Sequence, residues 1–314
     1  MKRKKISATL LFLLLLTGIT AGAQVKHKGA LEKPKPTEFD KNKWIEYIPG
    51  NIPLVISVSH GGSLKIDSIP FNTCKGHNRH YDYGTIEIAR AVQQAFEKKY
   101  QVRPYVVICH LSRQHLDMNR EMEKATCGNP YMNEAWSSFH TYIDRALKEA
   151  VKLHKRAIYT DFHGHPHQKQ KVELGYSLSK NTLIALQEGQ AEKGIEEESS
   201  LRNFFTGNWK KGVTINDMLT GKNSFGSLLS NAGMATVPSM QDKAPLREDP
   251  YFAAATVYNT PTYTSKRYPE VIGWQVEMSV DIRKNKHEEM AQAFVAAMKT
   301  FMEQNTDMKI KWGK

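Results

Sequence analysis

Short, apolar, β-branched runs recur along this chain, separated by stretches with helical spacing, and that alternation limits the fold more than any other feature. Residues 53–59, Pro-Leu-Val-Ile-Ser-Val-Ser, read as a buried strand. Residues 85–100 follow with apolar positions at Ile86, Ile88, Ala89, Val92 and Phe96, the spacing of a helix. Residues 102–109 read as a second buried strand, 133–153 as a long amphipathic helix, 157–162 as a third strand and 172–178 as a fourth. Residues 215–232 read as mostly helical, interrupted at Gly221 and Gly226. A strand over 271–280 and a closing helix over 284–305 complete the pattern, the helix carrying Met290, Phe294, Ala297, Met298 and Phe301 on one face. Strands alternating with helices predict an α/β domain on a mostly parallel or mixed sheet. No internal repeat and no dividing linker is found, so 44–314 is expected to be a single domain.

The first residues read as an export signal. Lys2 to Lys5 form a positive n-region, residues 10–16 are almost all leucine, and Ala21-Gly22-Ala23 offers an A-x-A cleavage site. The run is short of the ~20 residues that span a bilayer. Residues 1–23 are therefore expected to be removed after Ala23, leaving a secreted or periplasmic protein with no membrane span. Residues 24–43, rich in Lys and Pro, read as a poorly ordered lead-in. The formal charge of +12 is scattered, with no basic stripe interleaved with aromatics, so a nucleic-acid partner is not expected. With 40% hydrophobic and 24% charged residues the composition is that of a globular chain. Three cysteines allow at most one disulfide. Cys109 reads as a core thiol; a Cys74–Cys127 bridge between loops is compatible with the sequence without being established by it.

Residues with catalytic potential gather where apolar strands end, the place where open α/β sheets bind ligands. His60-Gly61-Gly62 follows the first strand, and His60 reads either as a metal ligand or as the cap of a tight turn. Asp161-Phe162-His163-Gly164-His165-Pro166-His167 follows the third. Imidazole is a common zinc ligand, and a carboxylate two residues before a histidine often fixes its tautomer. Arg113, Asp117, Asn119 and Arg120 follow the second strand. They offer a fork for a substrate carboxylate or a donor to an oxyanion, with an Arg113–Asp117 ion pair as the alternative. Glu277 lies inside an apolar strand, where a carboxylate needs either a catalytic role or an ion-pair partner. Asp82 reads as a helix-start residue or an oxygen ligand, and His77 and His80 as loop histidines.

Taken in order, Ser59-His60-Gly61-Gly62, Asp82-Tyr83-Gly84-Thr85, Leu116-Asp117-Met118-Asn119-Arg120, Asp161-Phe162-His163-Gly164-His165 with Glu173-Leu174-Gly175-Tyr176, and Gln275-Val276-Glu277 resemble the N-formylglutamate amidohydrolase family. The resemblance covers residues 53–279. It implies a three-layer α/β/α sandwich with a mixed, mostly parallel sheet of the phosphorylase/hydrolase-like kind. It also implies a zinc-dependent hydrolase cleaving an amide next to a carboxylate. His60 and His163 match the histidine ligands, Asn119 and Arg120 the substrate-carboxylate grip, Arg113 the oxyanion-stabilising arginine, and Glu277 the late general acid/base. The related carboxypeptidase pattern has a glutamate three residues after the first histidine, where this chain has Ser63. Asp82 is therefore expected as the third ligand, ahead of Glu173 or His165. Phe252-Ala253-Ala254-Ala255 stands where a glycine-rich turn is expected. The alternative class is a non-catalytic protein that holds an acidic ligand on the same fold. A serine esterase is disfavoured by the lack of a G-x-S-x-G elbow.

Overall fold

The computed structural model describes residues 35–169, 171–190, 193–249, 252 and 256–313. The expected export signal, residues 24–34 of the lead-in and residues 253–255 lie outside the described residues. The described strands are β1 (Glu38–Phe39), β2 (Ile45–Ile48), β3 (Leu54–Val58), β4 (Tyr105–Cys109), β5 (Ala157–Gly164), β6 (Val172–Gly175), β7 (Thr236–Val237) and β8 (Val271–Met278). The described helices are α1 (Thr85–Tyr100), α2 (Met122–Thr126), α3 (Pro130–His154), α4 (Lys180–Gln187), α5 (Ile195–Glu198), α6 (Arg202–Thr206), α7 (Ile215–Thr220), α8 (Phe225–Asn231), α9 (Asn259–Tyr263), α10 (Val280–Asn285) and α11 (His287–Asn305).

The strands form one sheet in the order β1-β2-β4-β3-β5-β8-β6-β7. β4, β3, β5 and β8 run parallel, and the antiparallel pairs β1–β2, β2–β4 and β6–β8 make the sheet mixed. Because side chains alternate along a strand, each strand feeds two cores. Leu54, Ile56 and Val58 of β3, Ile158 and Phe162 of β5, and Ile272, Trp274 and Val276 of β8 pack with α1, α8 and α11. Val55, Tyr105, Val107, Ala157, Tyr159 and Val271 pack on the other face with Met132, Phe139, Ile143 and Leu147 of α3. Helices on both faces make the three-layer α/β/α sandwich anticipated from the sequence.

The alternation also explains where the chemistry goes. On the α3 face, β5 reads Ala157, Tyr159, Asp161, His163 and β8 reads Val271, Gly273, Gln275, Glu277. The face is apolar at the strand starts and polar at their carboxyl ends. In the register His163 lies beside Glu277, and Glu277 beside Glu173 of β6. Chain connections reinforce the crevice. After β3 the chain crosses through α1 to β4, then through α3 to β5 on the other side of β3, so the carboxyl end of β3 is a topological switch point.

Several boundaries differ from expectation for local reasons. Part of the expected lead-in is structured: Glu38–Phe39 pairs with β2, and Asp40 Oδ1 accepts hydrogen bonds from the amides of Trp44 and Ile45. Gly221 does end α7, but Gly226 lies inside α8. Its lack of a side chain serves close packing, since a Cβ there would sit 2.0 Å from the carbonyl oxygen of Pro238. The closing helix is two helices, broken at Lys286. Helix α3 starts three residues earlier than predicted, because Pro130 occupies its first turn and Asn129 caps it, accepting from the amides of Tyr131 and Met132.

Candidate metal centre

His60 leaves the end of β3 and His163 is the penultimate residue of β5. Asp82 arrives from the loop before α1. All three are buried, at 1%, 3% and 5% exposure. His60 Nδ1 lies 3.1 Å from His163 Nδ1, and Asp82 Oδ2 lies 3.5 Å and 3.4 Å from these two nitrogens. Three donors on a tetrahedral ion with bonds of ~2.0–2.1 Å would stand about 3.3 Å apart.

The opposite edge of each imidazole is fixed by a carboxylate. His60 Nε2 donates to Asp117 Oδ1 at 2.7 Å, and His163 Nε2 donates to Asp161 Oδ2 at 2.7 Å. With a single proton on each ring at Nε2, the form that binds a metal, both rings turn an Nδ1 lone pair toward Asp82. Two ring nitrogens and a carboxylate oxygen converging in a buried space call for a cation or a proton among them. Without an ion, burial lowers the His163 pKa but Asp161 and Asp82 raise it well above the ordinary value, so a proton on His163 fills that role. The carboxylates are anchored in turn. Asp161, fully buried, accepts from Ser57 Oγ, from Ser59 Oγ at 3.3 Å and from Asn259 Nδ2 at 3.2 Å. Burial opposes its ionisation, but His163 and the Ser57 hydroxyl hold its carboxyl below the usual range. Asp117 accepts from Arg113 Nη2 at 2.7 Å and from the Asn119 amide at 2.9 Å. Asp82 is likewise ionised: burial pushes its carboxyl up, and His163 and His60 more than reverse that push.

Asp82 does not cap the helix. Gly84 takes the N-cap position of α1, while the Asp82 carboxylate reaches the histidines and accepts from the Gly164 amide at 3.2 Å. The other ligand candidates are committed elsewhere. His165 Nε2 donates to the Lys171 carbonyl at 2.9 Å and its Nδ1 accepts from the His167 amide at 3.2 Å, which uses both ring nitrogens. Glu173 accepts from His167 Nδ1 at 2.8 Å. The group His165, His167 and Glu173 thus has metal-like spacing but no free lone pair on His165. Gly61 and Gly62 follow His60 because protein groups crowd them: a Cβ would stand 2.4 Å from Thr85 Oγ1 at Gly61 and 2.3 Å from the His110 carbonyl carbon at Gly62.

A cavity of about 410 Å³ opens beside the cluster, lined among others by His60, Asp82, His163, Arg113, Asn119, Arg120 and Glu277. The seven side chains given roles by the family resemblance therefore line one space. Burial pushes the Glu277 carboxyl up to about 7; His163 opposes this, while Asp82 and Glu173 add to it. Its Oε1 accepts from Gln275 Nε2 at 2.7 Å. Arg113 does form the ion pair with Asp117, yet on the cavity wall rather than at the surface. Asn119 Oδ1 accepts from the amides of Tyr258 and Asn259 at 3.1 and 2.8 Å, which fixes the amide so that Nδ2 turns toward His163. Arg120 is the more exposed arginine, with Nε 3.8 Å from Asp117 Oδ2. Sequence reading missed Asn259, which holds Asp161 and Ser59 together, and Arg283 on the cavity wall; neither sits in a patterned motif. It left the Cys74–Cys127 bridge open, and the bridge is present, tying the cavity-side loop to the end of α2.

No family model and no curated protein matches the sequence. Among solved structures, the chain is similar to an N-formylglutamate amidohydrolase from Ralstonia eutropha JMP134 at 10% identity and a TM-score of 0.49, over 87% of this chain and 98% of that one. It is also similar to a gene product of Agrobacterium tumefaciens at 12% identity and a TM-score of 0.45, over 81% of this chain and 92% of that one.

Proposed function

We propose that this protein is a secreted zinc-dependent amidohydrolase that cleaves an amide bond next to a carboxylate, in an N-acyl amino acid or a peptide-like substrate. The observation that carries the reading is the convergence of two carboxylate-anchored Nδ1 atoms and one Asp82 oxygen at mutual distances of 3.1 to 3.5 Å beside an open cavity. The ordered motifs that resemble the N-formylglutamate amidohydrolase family support it independently.

Two imidazoles and a carboxylate suit zinc, and three protein ligands facing a cavity leave a position for water. When bound, such an ion supplies Lewis acidity and a water acidified to near neutrality. The chain's own residues do the rest. Glu277, with a carboxyl near half-ionised at neutral pH, takes the proton of the attacking water and returns it to the leaving nitrogen. Oε1 is held by Gln275, so Oε2 is the oxygen that carries the proton. Arg113, oriented by Asp117, stabilises the developing oxyanion. Asn119 Nδ2 and the Arg120 guanidinium hold the substrate carboxylate, Arg120 having the exposure a guest anion needs. Export is supported by the Cys74–Cys127 disulfide, which belongs to an oxidising compartment.

The test is hydrolysis of a panel of N-acyl amino acids by the purified chain, its loss on chelation, and its return with zinc. Hydrolysis that needs zinc and a free α-carboxylate is the expected result. Binding of the panel with no turnover would instead identify a protein that holds acidic ligands.

A further inference from the structure

Arg283 is 4% exposed, and among the described residues its guanidinium contacts main-chain carbonyls where a buried arginine usually has a carboxylate. Nε donates to the Met278 carbonyl at 3.0 Å, Nη1 to that of Tyr83 at 2.9 Å, and Nη2 to that of His165 at 3.2 Å. Each acceptor lies beside a site residue. Tyr83 follows Asp82, His165 is two residues past His163, and Met278 follows Glu277. Three segments distant in sequence are thus tied to one planar cation. The Met278 carbonyl also accepts from the His165 amide at 3.0 Å, so two of the segments are joined directly as well.

The surroundings are shaped to this side chain. The Tyr83 ring covers the guanidinium at 4.7 Å. At Gly164, next to His163, a Cβ would stand 2.2 Å from Arg283 Nε. At Gly84, two residues after Asp82 and at φ +82°, a Cβ would stand 2.1 Å from the Arg283 carbonyl oxygen. Both glycines of the Asp-Tyr-Gly and His-Gly-His motifs make room for Arg283. Burying a guanidinium is costly unless its donors are satisfied. Here its donors are satisfied by the three segments that must keep register for the cluster to close. Lysine could not replace it, because an ammonium lacks the planar fork that meets three carbonyls at once.

We propose that Arg283 is a positioning residue that sets Asp82, His163 and Glu277 relative to one another through their backbones, so that metal affinity and turnover both depend on it. The proposal rests on the zinc reading of the cluster given above.

The experiment uses the full mature chain with Arg283→Lys and Arg283→Ala, and Met298→Ala in α11 as a control for lost stability. Zinc affinity is read by competition with a chelator, alongside kcat, KM and amide exchange of the metal-free chain. Arg283→Lys is expected to weaken zinc binding by about 10–100-fold and to lower kcat at saturating zinc with KM little changed. Met298→Ala should lower the melting temperature without moving zinc affinity. Millimolar guanidinium should restore binding in Arg283→Ala; should that variant fail to fold, Arg283→Lys carries the test. In the metal-free Arg283→Lys chain the amides around Tyr83, Gly164 and Ser279 should lose protection while α11 keeps its own. Zinc affinity within about twofold of wild type, or a loss matched by Met298→Ala, overturns the proposal, as does unchanged exchange at the three segments. If the wild-type chain takes up no zinc, the reading of the cluster falls, and the exchange result judges the clamp by itself.

Discussion

Two carboxylates do more for this site than their place in the sequence suggests. Asp117 and Asp161 stand outside the three-donor cluster, yet each fixes the ring of a histidine in it, and each is buried at 1% exposure or less. The Asp-x-His spacing made Asp161 legible as the partner of His163. Asp117 as the partner of His60 was not, because the two are 57 residues apart and meet only through the β3–β4 pairing. Glu277 separates two readings at this scale. Glu277→Gln keeps shape and removes the proton acceptor. It should lower kcat by roughly 100-fold or more, leave zinc content intact and move KM little. A purely structural ion pair would instead lower the melting temperature and spare turnover per folded molecule. His140 offers a prediction about pH. Burial between Trp136, Tyr258 and Tyr263 lowers its pKa to about 3, so it stays neutral in the fold while the unfolded chain takes up its proton near the ordinary value of 6.5. Stability from this group is therefore complete above about pH 6.5 and is lost as pH falls toward 3. Between pH 6 and 4, His140→Gln should flatten the fall in unfolding free energy by up to about 1.4 kcal/mol per pH unit, measured by denaturant titration; an unchanged slope would contradict the assignment.

Elements with strong period or high β-branching were legible. α1 spans the predicted 85–100, β5 and β8 start at their predicted residues, and β3 and β4 start one and three residues later than predicted. β2 was not read, because Ile45-Glu46-Tyr47-Ile48 carries a glutamate that looks solvent-bound. In the sheet Glu46 is 3% exposed, where Arg90 and His110 hold it. Burial raises its carboxyl pKa, but these two partners more than reverse that, leaving it ionised. The short helices α4 to α6 and α9 lack the length for a periodic signal. Packing of the outer helices sets stability at this scale. Phe294 of α11 meets Phe162 and Phe225 edge-on at 5.2 and 5.3 Å, so Phe294→Ala should cost about 3–5 kcal/mol by chemical denaturation. The loop from His60 to Asp82 has little regular structure and leans on cross-links: Cys74 to Cys127, and Asn72 to the Ala125 carbonyl at 2.8 Å. It brings Asn78, His80 and Tyr81 to the cavity wall. Cys74→Ser with Cys127→Ser should raise KM more than it lowers kcat, since it loosens a wall and leaves the donor cluster. Equal effects on both constants would place the bridge in the catalytic geometry itself.

Across the molecule, one sheet carries an apolar base and a polar rim, and the rim falls where β3, β5 and β8 end together. The motifs were legible as a set because each sits just past an apolar strand. Which of them stand side by side was not, since the register that puts His163 beside Glu277 is a property of the sheet. Among the described residues no helix is long and apolar enough to cross a membrane. If the export reading holds, N-terminal sequencing of the mature protein should begin near Gln24, and recovery of intact Met1 in a cytoplasmic pool would contradict it. The central claim is that His60, Asp82 and His163 form one metal site, and calorimetric titration of zinc into the metal-free chain tests it most directly. The account predicts one zinc per chain, with protons released on binding and a melting temperature that climbs with zinc concentration. His60→Ala and His163→Ala should each abolish that binding. Absence of uptake by the wild-type chain, or uptake unchanged in both variants, would contradict it.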